Sequence, residues 1–443
     1  MAAEAALMAD DIQKLWDEAN RYLQAGRPAD ALCYLTEVVS LVPADRQTRI
    51  TLAGALAQIG DAEGALRIMR ALAERLAHDG YLLPAIAVAR QGMQVAPEDP
   101  HLMQTLRGLH VRGMRAKAGQ LAVPPPLKPK GAAVGATRAV DLMAKPLAER
   151  LARAAAVGSE FPPAGAPATP VPMPLFGELE TDAFIATIAR LHYNRVPPGT
   201  QLLEEGKPGD TLLIMVSGQI SVSKGGATLA QLGAGSVLGE MALITGAPRS
   251  ATITAVDVVE YFELSRADVG ALAKFQPKVA EELVEYCRRR LLSNLMRTSP
   301  LFSKFDEATR LRLLGRFKTI SFAADETIIV QGEPATGLYL IASGAVEVRI
   351  SNADGDMVTV ASLGPGEVFG EISLIRNQPT TAYVIAKNTV GALILETTEF
   401  QQVLQEHPAV RQYLETLTAE RIKASRQAAD QSGFIDPDDV IVL

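Results

Sequence analysis

Gly239-Glu240-Met241-Ala242-Leu243-Ile244-Thr245-Gly246-Ala247-Pro248-Arg249-Ser250-Ala251-Thr252 sets one acid, a short helix-forming run and one arginine around room for a small anion. Each residue type has its own physical reason. Gly239 lets the backbone approach a ligand with no Cβ in the way. Met241 and Ala242 open a predicted turn of helix, whose unpaired N–H groups favour an anion. Arg249 can hold a phosphate through two parallel hydrogen bonds, a geometry lysine lacks. Glu240 is repelled by phosphate, so its expected partner is a neutral hydroxyl such as a ribose 2′-OH. The carboxylate and the guanidinium then read opposite ends of a ribose cyclic phosphate.

The stretch resembles the phosphate-binding cassette of the cyclic-nucleotide-binding domain, a family known from catabolite activator protein, kinase regulatory subunits and nucleotide-gated channels. That pattern, G-E-x-A-L, a spacer, then P-R-[AST]-A-[TS], is matched at each position. The resemblance implies a jelly roll with cyclic AMP or cyclic GMP as ligand. Glu240 would take the 2′-OH, Arg249 the cyclic phosphate, and Ser250 a place near phosphate and base. Leu238, Gly239, Met241, Ala242 and Ala251 complete the expected site. The plainer reading of the same residues is an empty loop closed by a Glu240–Arg249 ion pair. Ser250 does not choose between the two nucleotides.

Outward from the cassette, the C-terminal half is duplicated. Pro174-Leu175-Phe176 returns as Pro300-Leu301-Phe302. Gly206-Lys207-Pro208, running to Ser217-Gly218, returns at the same offset as Gly332-Glu333-Pro334, running to Ser343-Gly344. Short β-rich runs broken at Pro198-Gly199, Gly225-Gly226 and Asp354-Gly355 suit an antiparallel jelly roll in each copy. Ser265-Arg266-Ala267-Asp268 reads as a capping box opening one exit helix, and Thr398 with Gln401 as its counterpart. Between the copies Val279, Leu283, Cys287, Leu291 and Leu295 recur along one helical face. In the related family such a segment covers the nucleotide base or dimerises, and core packing is the plainer alternative.

The second cassette departs where phosphate would sit. Gly370, Glu371, Ile372 and Ser373 keep the turn and the acid, but Thr380 replaces arginine, Thr381 comes after it, and Tyr383 replaces the small Thr252. A threonine offers one neutral donor in place of a charged fork. The expectation is a degenerate site kept for packing, with Arg376 as a nearby replacement cation to consider.

From Asp11 to about Arg115, apolar positions recur at helical spacing between breaks at Gly26, Gly60 and Gly80. Ala19, Tyr22, Gly26, Ala31, Leu35 and Val38 superpose on Ala53, Leu56, Gly60, Ala65, Met69 and Leu72. This resembles irregular tetratricopeptide repeats. Such an array implies a groove for a protein partner; packing on the chain's own C-terminal half, or dimerisation, is the equal alternative. The Ala-, Pro- and Gly-rich stretch after the repeat carries Pro124-Pro125-Pro126, Pro162-Pro163 and a basic excess. It reads as a solvated tether with one short helix over Pro146 to Val157.

The expected architecture is therefore multidomain α plus β: a helical repeat over 1–118, a linker over 119–173, jelly rolls over 174–298 and 299–425, and an acidic tail over 426–443. A length of 443 residues and a net charge of −7 agree with several domains and no general attraction to nucleic acid. Cys33 and Cys287 are too few and scattered for a disulfide framework or zinc site, and the five histidines lack metal-ligand spacing. No secretion signal opens the chain, and no apolar run approaches the ~20 residues of a membrane helix, so a cytoplasmic location is expected. No phosphate-binding loop, nucleophile elbow or kinase signature is present, and the segment after the second jelly roll is too short for the family's DNA-reading domain. Kinase regulatory subunits carry an R-R-x-[AS] segment upstream of the first sensor, which the linker lacks. The expected function is a non-enzymatic cyclic-nucleotide receptor, without cofactor or metal, that controls a protein partner. A scaffold that needs no nucleotide is the alternative, and a homodimer through the helix between the jelly rolls is a further expected assembly.

Overall fold

A computed structural model describes residues 2–114, 135–163 and 180–431, apart from stretches within 241–247, 276–315 and 352–355. Six helices come first, each packed on the next: α1 (Ala2–Gln24), α2 (Pro28–Leu41), α3 (Arg46–Ile59), α4 (Ala62–His78), α5 (Leu82–Val95) and α6 (Pro100–Met114). Gly60 ends α3 at φ 99°, a left-handed conformation that its missing Cβ makes cheap. Ala31, Ala53, Ala65, Ala85 and Ala89 have no exposed surface, because small side chains let the helices cross closely. Asp45 and Asp61 cap α3 and α4 by accepting from Gln47 N and Gly64 N. Asp99 caps α6 through Leu102 N and also pairs with Arg70 of α4 at 2.5 Å. Burial raises the Asp99 pKa, and the Arg70 guanidinium and the Leu102 N–H together outweigh it and hold the carboxyl below its usual value.

The stretch expected to be a solvated tether is packed where it is described. Helices α7 (Gly135–Met143) and α8 (Leu147–Ser159) lie against the repeat, α7 on α1 and α2, and α8 on α2, α3 and α4. Ala139, Ala154, Ala155 and Val157 are buried in the same apolar cluster as the repeat helices. Arg49 of α3, 1% exposed, caps the end of α8. It donates to the carbonyls of Val157 (3.2 Å), Gly158 and Glu160 (2.8 Å), and to Pro43 O (2.7 Å). Its guanidinium also lies 3.8 Å over the Phe161 ring. Burial lowers the Arg49 pKa to about 10, which leaves it charged at neutral pH.

Two barrels come next, each of two four-stranded antiparallel sheets. The first pairs β1 (His192–Val196), β8 (Val259–Ser265), β3 (Thr211–Ser217) and β6 (Val237–Leu238) in that order, and β2 (Gln201–Leu203), β7 (Thr252–Ala255), β4 (Ile220–Lys224) and β5 (Ala227–Leu232). The second repeats the plan with β9 (Lys318–Phe322), β16 (Val390–Glu396), β11 (Gly337–Ser343) and β14 (Val368–Phe369). Its other sheet is β10 (Thr327–Ile329), β15 (Tyr383–Ala386), β12 (Val346–Ser351) and β13 (Met357–Leu363). This bears out the jelly-roll expectation. The turn signal at Asp354-Gly355 lies outside the described residues, as do Pro174-Leu175-Phe176.

Strand β3 is apolar from Leu212 to Val216, where both its faces are buried. Leu213 and Met215 point into the barrel interior, while Leu212, Ile214 and Val216 join the cluster built from the repeat helices. Helix α9 (Thr181–Arg190) lies at this junction. There His110 of α6 stacks on Phe184 at 4.9 Å, and Arg90 of α5 donates to Leu191 O at 2.8 Å. A buried ion pair joins Arg46 of α3 to Glu260 of β8, and Glu260 also accepts from Ser217 at 2.7 Å. Packing on the chain's own first barrel, one of the arrangements open to the repeat, is thus present.

Ser265 and Asp268 exchange hydrogen bonds at the start of α10 (Arg266–Phe275), as the capping box requires. The counterpart expectation fails. Helix α12 (Thr397–Glu406) has Glu396 at its cap position with no side-chain capping bond, Thr397 donates away to Ala335 O, and Gln401 donates to Leu374 O. Of the stripe between the barrels, Leu283 and Cys287 are buried in the first core and Leu295 in the second, whereas Val279 and Leu291 lie outside the described residues. The described part of that face is used in packing within the chain.

Arg49→Ala should cost about 3 kcal/mol in denaturant unfolding, since it leaves several buried carbonyls of the α8 terminus without their charged donor. Limited proteolysis should also accelerate within 147–163. Unchanged cleavage and midpoint would show that Arg49 does not seat α8.

Candidate functional site

Gly239 comes directly after β6 at φ 83°, and an added Cβ would stand 2.6 Å from Thr211 O and 2.5 Å from Arg249 Nη1. Only glycine fits this crossing of the cassette and the first residue of β3. Glu240 is next at 8% exposure, and Arg249 is 7% exposed. Arg249 Nη1 donates to Thr211 O at 2.8 Å and to Gly239 O at 3.3 Å, and Nη2 donates to Thr211 Oγ1 at 2.8 Å. These bonds fix the plane and direction of a guanidinium that carries five N–H donors in all. Burial lowers the Arg249 pKa, while Asp210, Glu263 and Glu240 act in the opposite direction. A cavity of ≈410 Å³ borders Arg249, with Leu203, Lys207, Gly209, Asp210 and Thr211 among its walls.

The structure thus brings Leu238, Gly239, Glu240 and Arg249 to one end of the first barrel. Ser250 and Ala251 lead from Arg249 into β7, both half-buried. Met241 and Ala242 lie outside the described residues. Thr211 and Asp210 were not singled out from sequence. Their signal was the duplicated Gly206-Lys207-Pro208 turn immediately before them.

In the second barrel Gly370 repeats the crossing at φ 85°, its absent Cβ 2.7 Å from Gly337 O. Glu371 opens α11 (Glu371–Arg376) at 1% exposure. Gly370, Glu371, Ile372, Ser373, Thr380 and Thr381 all border one cavity. Thr380 is within hydrogen-bond reach of Val330 O at 2.5 Å and Glu333 O at 2.9 Å. Arg376, the replacement cation considered from sequence, is exposed at the end of α11. A different arginine reaches the acid. Arg421 of the last helix, α13 (Pro408–Gln431), donates from Nη1 to Glu371 Oε1 at 2.7 Å and to Val368 O at 2.5 Å. Among the described residues no group of His, Cys, Asp or Glu could hold a metal ion, and no helix is long and apolar enough to cross a membrane.

The cyclic nucleotide-binding domain family matches residues 193–274 and 319–407, and the tetratricopeptide repeat family matches 22–89. The chain therefore carries two cyclic nucleotide-binding domains behind a tetratricopeptide repeat region. It is similar to the cAMP-dependent protein kinase regulatory subunit of Yarrowia lipolytica, 28% identical over 230 residues that make up 52% of this chain and 58% of the relative. The corresponding subunit of Aspergillus niger is 27% identical over 243 residues, 52% of this chain and 57% of the relative. The chain spans less than two thirds of either relative's length. Among solved structures, the regulatory domain of Toxoplasma gondii PKA with cAMP is 26% identical, covering 56% of this chain and 92% of that one at a TM-score of 0.30.

Gly239→Ala and Gly370→Ala should each destabilise the chain by about 1–3 kcal/mol in chemical denaturation, because both force a Cβ into a left-handed backbone against a carbonyl oxygen. Alanine accepted at either position without loss would mean that the crossing is looser than described.

Proposed function

We propose that the protein is a non-enzymatic receptor for cyclic AMP or cyclic GMP. The first barrel takes the nucleotide, with Arg249 on the cyclic phosphate, Glu240 on the ribose 2′-OH and Ser250 beside phosphate and base. Ligand state is passed to the helical repeat, which holds a protein partner. We place the receptor in the cytoplasm, where its two buried cysteines, Cys33 and Cys287, stay reduced.

The observation that carries this reading is the double use of β3. Its first residue, Thr211, is the hydrogen-bond partner of Arg249, and its outer face, Leu212, Ile214 and Val216, is packed with the repeat helices. A phosphate that draws Arg249 toward itself competes with Thr211 for the guanidinium. The strand that then relaxes is the one on which the repeat sits. Named relatives that are regulatory subunits support the same division between a sensing half and a regulated partner.

Calorimetric titration of the whole chain with cyclic AMP and cyclic GMP tests the reading. Arg249→Lys should weaken binding by roughly tenfold to a hundredfold, because charge stays while the two-bond fork is lost. An unchanged dissociation constant would mean that phosphate is not held by Arg249. No binding of either nucleotide to the wild-type chain would favour the scaffold reading.

A further inference from the structure

We infer that the second barrel binds a neutral ribonucleoside in the cavity closed by α13. This rests on the reading of the first barrel only for the role given to the acid of the cassette.

The means of holding a phosphate are lost at two positions. Thr380 stands in place of Arg249, and its hydroxyl lies against the backbone carbonyls of Val330 and Glu333. The place of Thr211, which orients Arg249 in the first barrel, is taken by Gly337, the first residue of β11. The equivalence is geometric, since the Cβ absent at Gly370 would meet Gly337 O as that absent at Gly239 would meet Thr211 O. Arginine and the hydroxyl that aims it have gone together.

The acid remains. Glu371 borders the cavity at 1% exposure and pairs with Arg421, which Glu367 also approaches at 3.8 Å, so that end of the cavity has no spare positive charge. An incoming phosphate would have to take Arg421 from the carboxylate or lie beside that carboxylate, and either is costly away from water. A hydroxyl meets no such penalty. An ionised carboxylate offers about four acceptor positions, and Arg421 Nη1 uses one, so a ribose hydroxyl can donate to Glu371 while the ion pair stays intact.

The rest of the cavity suits a flat, weakly polar ring. Val348, Val360, Leu363 and Val384 form apolar wall, and α13 contributes Ala424 and Ser425. Ser425 supplies a hydroxyl that can reach the polar edge of a base. A purely apolar ligand would leave the Glu371 end unmatched, and a nucleotide would bring a charge that no group of this cassette is placed to receive. The space measures ≈100 Å³, enough for a ring as it stands. Seating the sugar as well moves α13 outward, so ligand binding in this barrel is tied to the position of the last helix.

The test uses the full chain carrying Arg249→Ala, which silences the first barrel toward cyclic nucleotide. It is titrated with adenosine, guanosine, cyclic AMP and cyclic GMP. One nucleoside should bind per chain, at least about tenfold more tightly than its cyclic phosphate, and Glu371→Gln should weaken it by a similar factor. Should Glu371→Gln fail to fold, Ala424→Trp, at the solvent-exposed rim of the cavity on α13, should block the cavity and abolish the same binding in a folded chain. Cyclic nucleotide bound as tightly as nucleoside would overturn the inference and make Arg421 the cation for phosphate. Absence of binding by all four would also overturn it, leaving the barrel as a packing module. Failure of the first-barrel reading is separable, because it shows in the wild-type titration with cyclic nucleotide.

Discussion

The guanidinium of Arg249 can be buried only because Thr211 and Gly239 meet it with oxygen. A charge held at 7% exposure without such partners would be expelled or would unfold its surroundings. Its three hydrogen bonds tie the cassette to the start of β3 and require glycine at the crossing. They also couple the ligand-facing end of the barrel to a strand whose far face belongs to another unit. In the second barrel the crossing glycine persists after the arginine has gone, which separates two demands that coincide in the first. Gly370 answers to the backbone, and Arg249 answers to the anion.

Much of this could be read from the residues alone. The cassette, the duplication and the 34-residue period of the repeat are local patterns, and the helices and strands that they imply are present. The Ala-rich stretch is harder to read because alanine is ambiguous. It is what a tether contains, and it is also what two helices need in order to cross closely. Ala154 at 0% exposure is the second case, and the deciding residue, Arg49, lies more than a hundred positions away. Arg421 escapes a sequence reading for the same reason. The cation for Glu371 comes from a helix fifty residues downstream, where no motif marks it. Thr398 failed as a cap because α12 begins one residue before it, with Glu396 at the cap position, and this places Thr398 inside the first turn.

The two barrels therefore differ in more than one substituted residue. The first keeps a cation ready inside its own cassette and shares a strand with the repeat. The second takes its cation from a helix at its exit, so that Arg421 ties its lid to the barrel through Glu371 and Glu367.

The outer faces of β3 and β11 carry this difference into the history of the chain. In the second barrel Leu338, Leu340 and Ala342 are covered by α12, α13 and the segment around Phe302, all from its own half. In the first barrel the equivalent face shares its cluster with the repeat. The second barrel is thus a portable piece that recombination could move intact. The first is not, because transplanting it alone would strip Leu212, Ile214 and Val216 of the repeat helices in their cluster and leave only α9, α10 and the segment around Leu283 beside them. The repeat and the first barrel share one core, so a cut between them exposes apolar surface on both sides.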